Sequence, residues 1–371
     1  MSQFNFPRTE LAKKIITSFD NGLSSSIAFN APRRKGKTQF LLNDIPVAAD
    51  GKYFIVYTSL WQNLNNPVKG LIADLQRSLE SLSSKPAKLM KSFFKDKSIE
   101  GQVKSDIGSF KIRLASNPVK ASNQELDEVS VLIQQISQKS KLPVILVIDE
   151  IQHLATSKVF WPIASALRTA LDRMNGKVKS IFTGSSRSHM RLLAKDKKSQ
   201  FYNFSSEVDF PDLDVEFLKF LVAGVKSAFG LKLSIAQLKI AFDDFDKSPY
   251  WIRRLIEKFA LGEGSFDEIY SNLLEVIVEE GDLSELTDKL SIADRIVYLE
   301  IYKGRSPFSQ AVRDLIEQMS DVQGTDSSIQ SSLRKLIKRH VISLYERGSY
   351  LNEEVGLGRY LINEYPELEL K

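Results

Sequence analysis

Residues 27–32, IAFNAP, run into RRKGKTQFLLNDI, and the join reads as a short buried strand, a tight loop and a helix whose apolar positions are Phe40, Leu41, Leu42 and Ile45. Within it, Ala31-Pro32-Arg33-Arg34-Lys35-Gly36-Lys37-Thr38 fits the spacing GxxxxGK followed by Ser or Thr at every position but the first, where Ala31 replaces glycine. The spacing has a physical cause. Loop N–H groups and the start of a helix near Gly36 create a site for anionic phosphates, a long lysine reaches the β/γ oxygens, and a hydroxyl ligates Mg²⁺. The residues expected to line a nucleotide are therefore Ala31, Arg33, Arg34, Lys35, Gly36, Lys37, Thr38 and Gln39, with Thr38 also on the metal. Ala31 must keep a negative φ or accept strain of about 1–2 kcal/mol.

Such a loop constrains the rest of the fold, because it belongs to the edge of a parallel sheet. Three further strand-like runs supply one. YFIVYTSLW at 53–61 precedes Leu71, Ile72, Leu75 and Leu79 at helical spacing. PVILVIDE at 143–150 is apolar through five consecutive Val/Ile/Leu-class residues, as a strand covered on both faces must be. Helical periodicity follows at 160–173, and VKSIFTGSS at 178–186 reads as another strand. The alternation predicts an α/β core over 1–212 with a doubly wound parallel sheet. Residues 83–121, rich in Ser and Lys, read as an insertion or surface excursion.

Asp149 and Glu150 close the most apolar strand, which places them at the carboxyl edge beside the loop. Asp149 is expected to hold Mg²⁺ through water, and Glu150 to orient or deprotonate the attacking water. Thr183 and Ser185, at the tip of the next strand, are candidates for the γ-phosphate or that water. Arg187 and Arg191 follow at one helical turn's spacing; either could stabilise transition-state charge, in the same or a neighbouring subunit. His153, His189 and His340 lack metal-ligand spacing, and no Ser/His/Asp arrangement is supported.

From Asp214 the pattern becomes helical, and residues 213–288 are expected to form a lid carrying Arg253 and Arg254, of which at most one reaches back to phosphate. Residues 289–371 read as three helices and a hairpin-like segment, the outline of a winged helix. Taken together, FNAPRRKGKTQFLL, VILVIDEIQHLA, SIFTGSSRSHMRLL and the lid group Ser248-Pro249-Tyr250 resemble the archaeal-type ATPases of the AAA+/STAND division of P-loop NTPases. The resemblance covers most of the chain. It implies a P-loop sheet with helical lid and C-terminal winged helix, ATP as the nucleotide with Mg²⁺, and ATP hydrolysis.

Composition trims the alternatives. With 371 residues and no cysteine, the chain has room for two or three domains and excludes disulfides, thiolate metal sites and cysteine nucleophiles. The start MSQFNFPRTELAKK has no signal-like apolar core, and no run of about 18 apolar residues occurs. A cytoplasmic protein, neither secreted nor membrane-bound, is expected. The net charge of +5 argues nothing alone. Local charge says more: nine Lys/Arg against three acids between Lys85 and Lys120, and eight carboxylates with no Lys or Arg from Asp267 to Asp288. Both runs fit solvated helix faces.

Two readings of the partner stay open. One is an ATP-driven switch on duplex DNA, acting through subunit assembly into a nucleotide-dependent homo-oligomer or through Arg334, Lys335, Lys338 and Arg339 of a recognition-type helix. The other is a signalling or scaffold NTPase whose winged helix binds a protein partner. The balance of 11 basic and 12 acidic residues over 291–371 weighs against strong DNA binding.

Overall fold

The computed structural model describes residues 4–83, 117–174, 176–194, 199, 201–346 and 348–370. The insertion read over 83–121 falls largely outside them. The chain divides into two compact units, one ending at Pro211 and the other starting at Asp212.

The first unit is built on five strands: β1 (Ser26–Asn30), β2 (Phe54–Ser59), β3 (Val144–Asp149), β4 (Val178–Gly184) and β5 (Ser206–Asp209). All pairings are parallel, in the order β2-β3-β4-β1-β5. The alternation of side chains explains the continuous apolar runs. Val144, Leu146 and Ile148 of β3 enter one core, while Ile145 and Val147 enter the other. On the first face pack α3 (Pro67–Ser83), α4 (Asn123–Lys139) and α5 (Trp161–Arg173), through residues such as Leu71, Ile133 and Leu167. On the second face lie α1 (Thr9–Asp20) and α2 (residues 37–49). There Phe29, Phe40 and Phe210 meet edge to face with centroids 5.5–5.9 Å apart, each contact adding about 1 kcal/mol beyond burial. A sixth helix, α6 (Arg187–Ala194), follows β4.

The strands are shorter than their sequence runs: β4 stops at Gly184, and Ser185 and Ser186 form the turn into α6. α2 carries a wider π turn at Phe40–Asp44, directly after the loop. Such turns recur at functional sites.

The second unit holds α7 (Val215–Phe229), α8 (Ile235–Asp244), α9 (Pro249–Ala260), α10 (Phe266–Glu280) and α11 (Leu283–Asp288). Then come α12 (Ile292–Tyr302), α13 (Gln310–Met319) and α14 (Asp326–Lys338), followed by an antiparallel hairpin, β6 (Ile342–Glu346) with β7 (Ser349–Asn352), and α15 (Leu357–Glu364). Three helices followed by a hairpin is the element order of a winged helix. The turn before α9 is tied to the C-terminal elements: Asp246 Oδ2 accepts the Gly356 N–H at 2.6 Å, and Asp244 pairs with Arg359 at 3.5 Å and takes the Tyr270 hydroxyl. Gly356 has φ 85°, and a Cβ there would stand 2.3 Å from Ile277 Cγ2, so only glycine fits. Among the described residues no helix is long and apolar enough to cross a membrane.

Candidate nucleotide site

The strand order brings the ends of β1, β4 and β3 side by side. Residues of one parity then share the face on which α2 lies: Phe29 on β1, Ile181 on β4, and Ile145 and Val147 on β3 all pack in its core. Continuing that parity places Thr183 and Asp149 at the carboxyl edge, on the side where the loop turns into α2.

The loop keeps its shape through few special residues. Gly36, the residue before α2, has φ 91°, a conformation in which only glycine is unstrained. Arg34 adopts φ 63°, a left-handed conformation costing about 1–2 kcal/mol for a residue with a side chain. Ala31, standing where the motif has glycine, is not among the positive-φ residues, so the replacement introduces no left-handed strain. Its N–H reaches the Gly184 carbonyl at 3.3 Å, binding loop to β4. Gly184 makes room for its neighbours: a Cβ would lie 2.4 Å from Met190 Cγ and 3.0 Å from Gln152 Oε1, so a side chain there would displace Met190.

Lys37 is 5% exposed and folds back on the loop, its Nζ donating to the carbonyls of Ala31 (2.6 Å) and Pro32 (2.8 Å). Burial lowers its pKa, while the nearby charges of Glu150 and Asp149 oppose that shift; Arg33 and Arg187 are close enough for their charges to be felt as well. Thr38 Oγ1 donates to Asp149 Oδ2 at 2.7 Å. Asp149 Oδ1 accepts the Thr183 hydroxyl. Glu150, with φ 58°, accepts Ser185 Oγ at 2.7 Å and the Gln152 amide on Oε2. Burial raises its pKa, the charge of Asp149 adds to that, and Lys37, Ser185 and Gln152 pull it back. Lys37, Thr38, Asp149, Glu150, Thr183 and Ser185 therefore form one polar cluster, buried except at half-exposed Thr38.

The remaining predicted residues are distributed around it. Arg33 stacks on the Trp61 ring, its guanidinium carbon 4.3 Å from the centroid. Lys35 is buried, and its carbonyl accepts from Arg8 at 3.1 Å. Gln39 is engaged along the helix with Asn43 (2.6 Å). Arg191 is exposed. Arg253 is half-buried on α9 of the second unit, beside an exposed Arg254 that pairs with Glu257 at 3.2 Å. His153 is a core residue bonded to the Leu64 carbonyl at 2.8 Å.

Three residues at the site escaped the sequence reading. Tyr57 OH donates to Asp149 Oδ2 at 2.9 Å. Gln152 joins Glu150 and, at 3.1 Å, Ser185. Arg8 ties the loop to the end of the unit: its N–H reaches Asp44 at 3.0 Å, its guanidinium lies over Phe210 and reaches the Lys35 and Pro211 carbonyls. Polar side chains on buried strand positions could have flagged Tyr57. The strand neighbours that give it a role are not encoded locally.

A five-stranded parallel sheet with a Gly-Lys-Thr loop after its first strand, and an acidic pair ending a strand one place removed, defines the α/β fold of P-loop NTPases. No family model matches the chain, and no curated protein matches it. Among solved structures it is similar to the Walker-type ATPase of Pyrococcus abyssi, at 20% identity over 97% of this chain and 99% of that one, with a TM-score of 0.59. It is also similar to the ORC2 protein of Aeropyrum pernix in its ADP form, at 14% identity over 96% of this chain and 92% of that one, with a TM-score of 0.51. These neighbours are AAA+ P-loop NTPases, and the chain has their fold.

Proposed function

We propose that the chain binds ATP with Mg²⁺ at this cluster, hydrolyses it, and works as a nucleotide-dependent switch of the AAA+/STAND type. The observation that carries the reading is the 2.7 Å bond from Thr38 to Asp149 next to buried Lys37 and Glu150, at the start of a helix. Adenine is supported by the family resemblance and by the ADP form of the similar ORC2 protein.

The residues divide the work. Lys37 leaves the two loop carbonyls to meet the β/γ oxygens, with Arg33, Arg34 and Lys35 adding positive charge around the loop. The hydroxyl of Thr38 and the carboxylate of Asp149 are hard oxygen donors, a set that fits Mg²⁺: Thr38 would ligate directly and Asp149 through water. When bound, the ion neutralises charge developing on the bridging and terminal phosphate oxygens. Glu150 orients the attacking water and takes its proton. Thr183 and Ser185 each hold one of the two carboxylates and stand at the tip of β4, where the γ-phosphate is expected. Arg187 is the candidate to stabilise transition-state charge, a role in the same chain being supported by its charge felt at Lys37.

The test is ATP binding and turnover by the protein beside Lys37→Ala and Glu150→Gln. We expect Lys37→Ala to lose nucleotide binding, and Glu150→Gln to keep it while turnover falls at least a hundredfold. A wild-type protein that binds no nucleotide sinks the reading.

We further propose that, within the second unit, 213–288 serves as the lid with Arg253 as its nucleotide-contact candidate, and 289–371 as the winged helix that meets a partner. Duplex DNA is supported by exposed Arg334 and Lys338 on α14 and exposed Arg339 at its end. Lys335 is drawn to buried Asp294 at 3.8 Å, leaving fewer cations for phosphate; failure to bind DNA would favour a protein partner.

A further inference from the structure

Asp149 is the most fully engaged group in the cluster. Its Oδ1 accepts from Thr183, and its Oδ2 accepts both Thr38 (2.7 Å) and Tyr57 (2.9 Å). The three donors come from β4, from the first turn of α2, and from β2. Tyr57 pairs with Val147 across the β2–β3 ladder, two residues before Asp149, and its ring packs in the same core as Val147. The phenol is 8% exposed, and burial together with the Asp149 charge holds its pKa well above the ordinary value, so it remains a donor.

The shared oxygen is what matters. Thr38 can offer lone pairs to a hard cation only while its proton is committed elsewhere, and Asp149 Oδ2 is where that proton goes. Whatever fixes Oδ2 therefore fixes the direction of the Thr38 O–H bond. Thr183 holds the other oxygen. Tyr57 alone, besides Thr38 itself, holds this one among the bonds described.

We propose that Tyr57 is a positioning residue for the divalent cation: by holding Asp149 Oδ2 it orients the Thr38–Asp149 pair before metal arrives. The inference rests on the nucleotide reading given above. Partners of metal-orienting groups, when removed, typically lower metal affinity by about tenfold or more.

The experiment compares wild type with Tyr57→Phe, which keeps the buried ring and removes only the hydroxyl. Affinity for a fluorescent ATP analogue is measured in EDTA and across a Mg²⁺ titration, alongside the thermal midpoint. The expected result is metal-free affinity within about twofold of wild type and a Mg²⁺ concentration for half-maximal tightening raised about tenfold. An unchanged Mg²⁺ dependence, with or without a lower thermal midpoint, overturns the proposal while the nucleotide reading stands. Equal weakening with and without Mg²⁺ also overturns it, because it marks Tyr57 as a fold residue only. A wild-type protein whose nucleotide affinity ignores Mg²⁺ overturns both.

Discussion

Glu150 receives Ser185 and Gln152 on a single oxygen from a left-handed backbone position, so its carboxylate is held by its neighbours. Its raised pKa has a sign that can be checked. Burial favours the protonated carboxyl, and the Ser185 bond favours the ionised one. In Ser185→Ala that opposition is lost, the pKa rises further, and the acid limb of the pH–turnover profile should move up by about one unit, since a bond to a charged group contributes about 1.5 kcal/mol or more. An acid limb that stays in place would detach Glu150 from the proton transfer. For folding the sign is the same: the raised carboxyl contributes stability that is present at low pH and lost as pH rises through its folded-state pKa. Asp149, Glu150, Lys37 and Thr38 were legible because each is fixed by short-range spacing to one strand end or one helix start. Tyr57, Gln152 and Arg8 were not. Their meaning comes from pairing β2 with β3, from the sharp turn after Glu150, and from a 27-residue separation between Arg8 and Lys35.

The elements read from periodicity are those buried on both sides or amphipathic over several turns. β3 announces itself because every residue from Val144 to Asp149 is buried. β5 does not: SEVD is four residues, mostly exposed, and it closes the sheet only by pairing Ile27 to Asn30 with Ser206 to Asp209. α1, α4 and α15 were likewise unread; α15 is short, and the apolar residues of α1 take their meaning from tertiary packing, as when Ile15, Ile16 and Phe19 reach the sheet core. α4 begins at a capping box in which Ser122 and Glu125 satisfy each other's backbone N–H groups, at 3.2 and 2.8 Å. Ser122→Ala should lower stability by about 1 kcal/mol, read as a shift in the urea midpoint with unchanged slope. The helix buries Val129, Leu132, Ile133 and Ile136 against the sheet, so a change in slope instead would mean that α4 unfolds separately.

At the scale of the molecule, the partner surface proposed above lies in the second unit. If α14 meets duplex DNA, replacing Arg334, Lys338 and Arg339 together should weaken binding across unrelated sequences. It should also flatten the dependence of log affinity on log salt by roughly one unit for each phosphate that the variant no longer neutralises. Fluorescence anisotropy at several salt concentrations measures both, and an unaltered slope would move the DNA-binding surface elsewhere or remove it. The tie between the turn before α9 and the C-terminal elements has a mechanical consequence. Asp246 grips the Gly356 amide and Asp244 grips Arg359, one at the start of α15 and the other within it. The turn is therefore held against α15 on both of its carboxylates. Where Gly358 lies against the Tyr302 ring the contact continues to α12, so a displacement of that turn is expected to be felt at α15 and α12 together.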